Sequence, residues 1–212
     1  MRLVYAALVL CSVIAVGLPT SATPACAQSP LRLNEILAGP ASDWDGSGTF
    51  SSRDDEWIEL WNSNAAALDL GGYLVTDGDS VPRFALSGTL GPSGHLLITG
   101  RQSFDWEHLN GFPAFGLSLG NSGDSVLLWK VTGTDTSLVE SYTYRSHEAA
   151  ADRAIGRFPD GGEWVLFDGL NPYTGTLPPA GNGCAPTPGA SNECQLTPAR
   201  PMTWGEVKTR YR

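Results

Sequence analysis

Basic residues are scarce in this chain. Thirteen Lys and Arg stand against 22 Asp and Glu, a formal net charge of −9. A surface that neutralises phosphates needs the opposite sign, so the balance argues against nucleic acid or an anionic membrane as partner. Histidine is also rare. Only His95, His108 and His147 are present, and no two share the spacing of a metal-binding pair. There is no Cys-x-x-Cys, which removes the simplest redox motif. The stretch Gly120-Asn121-Ser122-Gly123-Asp124 has a superficial likeness to a serine-protease nucleophile loop, but a Gly-rich turn explains it and no triad partners are identifiable. These shortages point away from catalysis.

What is present begins with a targeting pattern. Arg2 supplies a positive start, residues 3–18 are apolar apart from Ser12, and Pro19 breaks the run. Ala25-Cys26-Ala27 then places small residues at the two positions a signal peptidase reads, so residues 1–27 are expected to leave and the mature chain to begin at Gln28. The run is short for a membrane span and no stop-transfer pattern follows. No transmembrane segment is expected after cleavage. Loss of Arg2 leaves 12 bases against 22 acids, a charge of −10.

The body of the chain, residues 28–192, is expected to form one domain. Short alternating runs, separated by turns drawn from 25 Gly and 15 Pro, argue for an all-β sandwich or barrel. Strands are expected over 31–38, 56–62, 67–70, 73–76, 81–86, 96–99, 125–131, 138–144, 153–158 and 164–167. In 56–62, Ile58 and Leu60 fall on one face and Trp57, Glu59 and Trp61 on the other, the pattern of a half-buried strand. In 125–131 both faces are apolar, which suggests a central strand. Residues 103–112 are ambiguous, with room for one helical turn.

The most chemically informative stretch is Asp43-Trp44-Asp45-Gly46-Ser47-Gly48-Thr49-Phe50-Ser51-Ser52-Arg53-Asp54. Set against a twelve-residue calcium loop, Asp43, Asp45, Ser47, Ser51 and Asp54 occupy positions 1, 3, 5, 9 and 12. Gly48 falls where such a loop turns, Thr49 would offer its backbone carbonyl, and apolar Phe50 would anchor to a core. Asp55 adds a further carboxylate beside them. Calcium takes six to eight hard oxygens in flexible geometry, and this spacing wraps them round one ion. Ser at position 5 and Asp at position 12 depart from the pattern, and a strand rather than a helix precedes the loop. A solvated acidic loop is the alternative.

Cys184 and Cys194 remain after the leader is removed. An even pair in an exported protein is expected to form a disulfide. Residues 193–212 are expected to form a separate tail. Within it Trp204, Val207, Lys208 and Tyr211 make a helical stripe with a basic end. It reads as a frayed tail, or as a docking or sorting signal.

Asn34-Glu35-Ile36, Asp55-Glu56-Trp57-Ile58-Glu59-Leu60-Trp61-Asn62 and Leu70-Gly71-Gly72-Tyr73-Leu74-Val75-Thr76-Asp77 resemble the opening of a bacterial lamin-tail domain. The likeness continues through Gly156-Arg157-Phe158-Pro159-Asp160-Gly161 to Thr187-Pro188-Gly189-Ala190-Ser191-Asn192. It implies an immunoglobulin-like β-sandwich and a non-catalytic binding or tethering module. The acidic loop is similar to those at this place in other such domains. The whole reads as an exported, calcium-stabilised module at the cell surface or envelope, with a protein or glycan partner there. A carbohydrate-binding module, offering Trp44, Trp57, Trp61 and Trp106 for sugar stacking, is the alternative, and core packing of those rings competes with it. A secreted hydrolase is the remaining reading.

Overall fold

The alternating runs of apolar residues settle into antiparallel strands. In the computed structural model the described residues are 29–194; the expected signal segment and the basic tail stripe lie outside them. In chain order the elements are β1 (Leu31–Leu37), β2 (Trp57–Asn62), β3 (Leu68–Asp69), β4 (Tyr73–Thr76), β5 (Pro82–Ala85), β6 (Thr89–Leu90), β7 (His95–Thr99), α1 (Gly100–Leu109), β8 (Gly123–Thr132), β9 (Asp135–Arg145), β10 (Ala154–Phe158) and β11 (Glu163–Phe167). One sheet runs β11-β10-β1-β2-β7, a second runs β5-β4-β8-β9, and β3 and β6 form a small ribbon.

The two larger sheets face each other. Leu33, Ile36, Ile58, Leu60 and Ile98 of the first meet Tyr73, Val75, Val126, Leu128 and Tyr144 of the second in one buried cluster. Burying each such side chain contributes about 1.5–3 kcal/mol, which makes this interface the main source of stability. The result is an all-β sandwich. β8 lies in the interior of its sheet, between β4 and β9, as its two apolar faces predict.

β2 differs from expectation. Both of its faces are buried, with Trp57 and Glu59 at 0% exposure. The reason is a second cover outside the first sheet. Trp57 packs with Leu37, Ala154, Phe167 and Cys184, and Trp44 of the acidic loop closes over them. The face that alternation assigned to water is roofed by loops distant in sequence.

That roof includes a strap, residues 184–194, closed by a disulfide between Cys184 and Cys194 whose Cα atoms are 5.4 Å apart. The expected pairing is present. Thr187 donates through its backbone and hydroxyl to Glu35, Gly189 N–H donates to Glu59 at 2.7 Å, and Asn192 N–H donates to Asp160 at 2.9 Å. Asn34 joins Glu59 to Asp160, donating to each at 2.9 Å.

The ambiguous segment holds a ten-residue helix, longer than one turn and beginning earlier. Thr99 caps it: its hydroxyl accepts from Gln102 N–H while the Gln102 side chain accepts from Thr99 N–H. This reciprocal box satisfies two otherwise unpaired donors at the helix start.

Candidate metal centre

The acidic loop leaves the end of β1 and returns into β2, so both its ends are held by the first sheet. Gly46 and Gly48 adopt φ of +74° and +85°, which lets the chain curl tightly between the aspartates. The curl aims backbone N–H groups inward. Asp43 accepts from Gly46 and Ser47 on one oxygen and from Gly48 on the other, at 2.9, 3.1 and 2.6 Å. Asp45 accepts from Ser47 N–H at 2.8 Å, and this bond is the main cause that holds its carboxyl below the usual range.

Asp55 is the loop's fixed point. It is fully buried, and its carboxylate accepts from the N–H groups of Trp44, Asp45 and Ser51 at 2.6, 2.9 and 2.7 Å. One side chain thereby ties the start and the end of the loop to the strand that follows it. Asp43, Asp45 and Asp55 each bring a carboxylate oxygen within 4.8 Å of the others.

Asp54, expected at the twelfth position, is not in this group. Its carboxylate takes both nitrogens of a fork from Arg53, at 2.6 and 3.0 Å, and that pairing lowers its pKa. The residue that joins Asp43 and Asp45 is its neighbour Asp55. The Ser47 hydroxyl donates to the Thr49 carbonyl at 3.0 Å, tying positions 5 and 7 together. The Ser51 hydroxyl accepts from Asp54 N–H at 3.2 Å. Phe50 is 49% exposed and so does not anchor the loop in a core. Trp44 does that work, with its indole N–H on Asp152 at 2.8 Å and its ring 6.0 Å from that of Trp57.

Sequence reasoning missed Asp152. Besides Trp44 it accepts from Ala41 N–H, Ser42 N–H and the Ser42 hydroxyl, fastening the loop to the β9–β10 connection. Burial alone would raise its carboxyl, but these donors outweigh it and the pKa is lowered. Nothing local in the sequence marks it, because its partners lie more than a hundred residues away.

The four tryptophans considered for sugar stacking occupy separate environments. Trp57 is buried, Trp44 fixes the loop, Trp106 stacks on Phe112 with ring centroids 5.4 Å apart, and Trp61 lies half-buried beside Gly161. They do not build one face.

With sandwich and loop in place, comparison with known proteins is informative. The model of the family described as Lamin Tail Domain matches residues 24–146, more than half of the chain. The chain belongs to the lamin tail domain family. Nothing among the curated proteins and nothing among the solved structures matches it. β10 and β11 of this lamin tail domain lie beyond the matched residues, yet β10 pairs directly with β1 in the first sheet. The domain's immunoglobulin-like sandwich is compatible with a non-catalytic module.

Proposed function

We propose that this lamin tail domain is an exported, non-catalytic binding or tethering module of the cell surface or envelope, and that its acidic loop takes a calcium ion. The convergence of Asp43, Asp45 and Asp55 carboxylate oxygens within 4.8 Å carries the calcium reading. Three carboxylates, with the Ser47 hydroxyl and the Thr49 carbonyl nearby, form a hard-oxygen donor set suited to calcium. Like charges held this close repel, and a divalent cation relieves that repulsion. Because Asp55 opens directly into β2, an ion here stiffens the end of the sandwich from which the loop hangs. The leader pattern of residues 1–27 and the Cys184–Cys194 disulfide support export.

Calorimetric titration of calcium into chelator-treated protein tests the loop, with thermal unfolding alongside. Saturable binding of one ion and a raised midpoint are expected. Absence of heat at millimolar calcium, with a midpoint indifferent to chelator, would sink the calcium reading. N-terminal sequencing of the exported protein should begin at Gln28.

A further inference from the structure

The outer face of the second sheet carries a feature that the family and the acidic loop leave unexplained. Tyr73, Val75, Val126 and Leu128 point into the core, so alternation turns Leu74, Thr76, Leu127 and Trp129 outward. Outward faces of antiparallel sheets ordinarily carry polar side chains. Here the register sets Ala85 opposite Leu74, Leu74 opposite Trp129, and Trp129 opposite Leu138. An apolar row thus crosses all four strands, a span of about 14 Å at the usual strand spacing. Leu138 at its end is 49% exposed.

A groove of about 260 Å³ opens on this row, lined by Leu74, Thr76, Ser80, Pro82, Trp129 and Thr136. The floor is apolar and the other lining residues are hydroxylic. The Trp129 indole N–H donates to the Thr76 hydroxyl at 3.0 Å, which fixes the ring and leaves the Thr76 proton free to donate elsewhere. Ser80 and Thr136 have no side-chain hydrogen bond among the described residues. None of the six lining residues is charged, although the chain carries a net charge of −9.

We propose that this groove binds a neutral saccharide, with one pyranose ring lying on the Trp129 indole and the chain continuing along the row. A pyranose has the matching chemistry, a face of C–H bonds and an edge of hydroxyls. Indole takes the first, and Thr76, Ser80 and Thr136 take the second. The absence of lining charge selects against anionic ligands. The volume suits a single sugar ring and is small for a helix or a folded partner. This site names the partner class of the binding module proposed above and rests on that reading, but shares no residue with the acidic loop.

The test is titration of full-length mature protein with neutral oligosaccharides (cellohexaose, laminarihexaose, chitohexaose and mannohexaose) and with an anionic control, oligogalacturonate, followed by amide and indole chemical shifts in NMR. At least one neutral oligosaccharide should bind at millimolar concentration or better, shifting the Trp129 indole resonance. Thr136→Arg fills the groove from an exposed position on the edge strand and should weaken binding at least about tenfold while the melting midpoint holds. Trp129→Phe should weaken it less than Trp129→Ala. The proposal falls if no neutral oligosaccharide binds, if only the anionic one does, or if Thr136→Arg binds unchanged. It also falls if the face instead mediates a dimer that Thr136→Arg dissolves. Calcium-dependent melting without saccharide binding would remove this site and keep the calcium reading.

Discussion

The carboxylate of Glu59, in a central strand of the first sheet, accepts a hydrogen bond at 2.7 Å from the N–H of Gly189, 130 residues later. Beside it Glu35 accepts from Thr187, and both glutamates are at 0% exposure. Two buried carboxyls thus latch the disulfide-closed strap onto the strands. Asp160 holds the strap's far end through Ser191 and Asn192. The titratable groups facing this latch are Asp160 and His95, which contact each other at 3.1 Å.

The latch gives the domain a pH dependence. Burial pushes Glu35 up to about 8 and Glu59 up to about 7, against 4.5 for an ordinary glutamate. The fold therefore holds protons that the unfolded chain releases. Their stabilising effect is complete below about pH 4.5 and is lost as pH rises through 7 and 8. Asp160 acts in the opposite sense. Burial opposes its ionisation, but its donors hold it below 3.8, so its contribution is present above that value and lost in acid. The melting midpoint should fall between about pH 6 and about pH 9, and Glu35→Gln should flatten the fall, by on the order of 2–4 kcal/mol at the alkaline end. A midpoint that rises over this range in the wild type would contradict the latch's protonation.

The disulfide should matter through the same strap. Closing so short a loop stabilises by about 2–3 kcal/mol, chiefly by restricting the unfolded chain. Cys184 is buried in the outer cluster with Trp57 and Phe167, so the paired Cys184→Ser and Cys194→Ser changes should also loosen that cover. Denaturant unfolding should show the loss, with faster amide exchange confined to the strap and the strands beneath it. Equal stability with and without reductant would mean that the carboxyl latch suffices alone.

Much of the sandwich was legible in the sequence because strand period is a local signal. The alternating run at 73–76 and the two apolar faces of 125–131 each point to a structure found in place. What escaped was long-range. Trp57 looked like a residue of a wet face because alternation reports only that two faces differ, and its cover comes from residues 44 and 184. The choice between Asp54 and Asp55 could not be made from spacing, since a one-residue shift preserves the loop's composition. Arg53 captures the nearer carboxylate. The Thr99-x-x-Gln102 box was present in the sequence, and the helix start was readable from it.

Trp57 offers a test of the outer cover. It is fully buried and its indole N–H has no hydrogen-bond partner among the described residues. A buried donor without a partner is itself costly, so removing it offsets part of what a smaller ring loses in packing. Trp57→Phe should therefore cost only about 1 kcal/mol or less, whereas Trp57→Ala should cost about 3–5 kcal/mol through the cavity. Similar losses for the two changes, measured by denaturant unfolding, would show that the indole nitrogen has a partner in solution.

The loop makes the sharpest distinction between neighbouring residues. Asp45 stands with Asp43 and Asp55, while Asp54 is paired to Arg53 in a partly exposed bridge. A bridge of that kind contributes about 1 kcal/mol or less, so Asp54→Asn should leave both the fold and calcium affinity close to wild type. Asp45→Ala removes a carboxylate from the cluster without touching the three donors to Asp55, so the calcium-free fold should persist. An ion that binds only the folded form stabilises it by about 2.7 kcal/mol at a hundredfold excess over the dissociation constant, and Asp45→Ala should lose most of that gain. Asp55→Asn differs from both, because it weakens the bonds to Trp44, Asp45 and Ser51 and should lower stability even in chelator. Melting curves of the three variants, each with calcium and with chelator, decide the matter. Calcium stabilisation lost in Asp54→Asn but kept in Asp45→Ala would restore the twelfth position of the loop to Asp54 and overturn the grouping with Asp55.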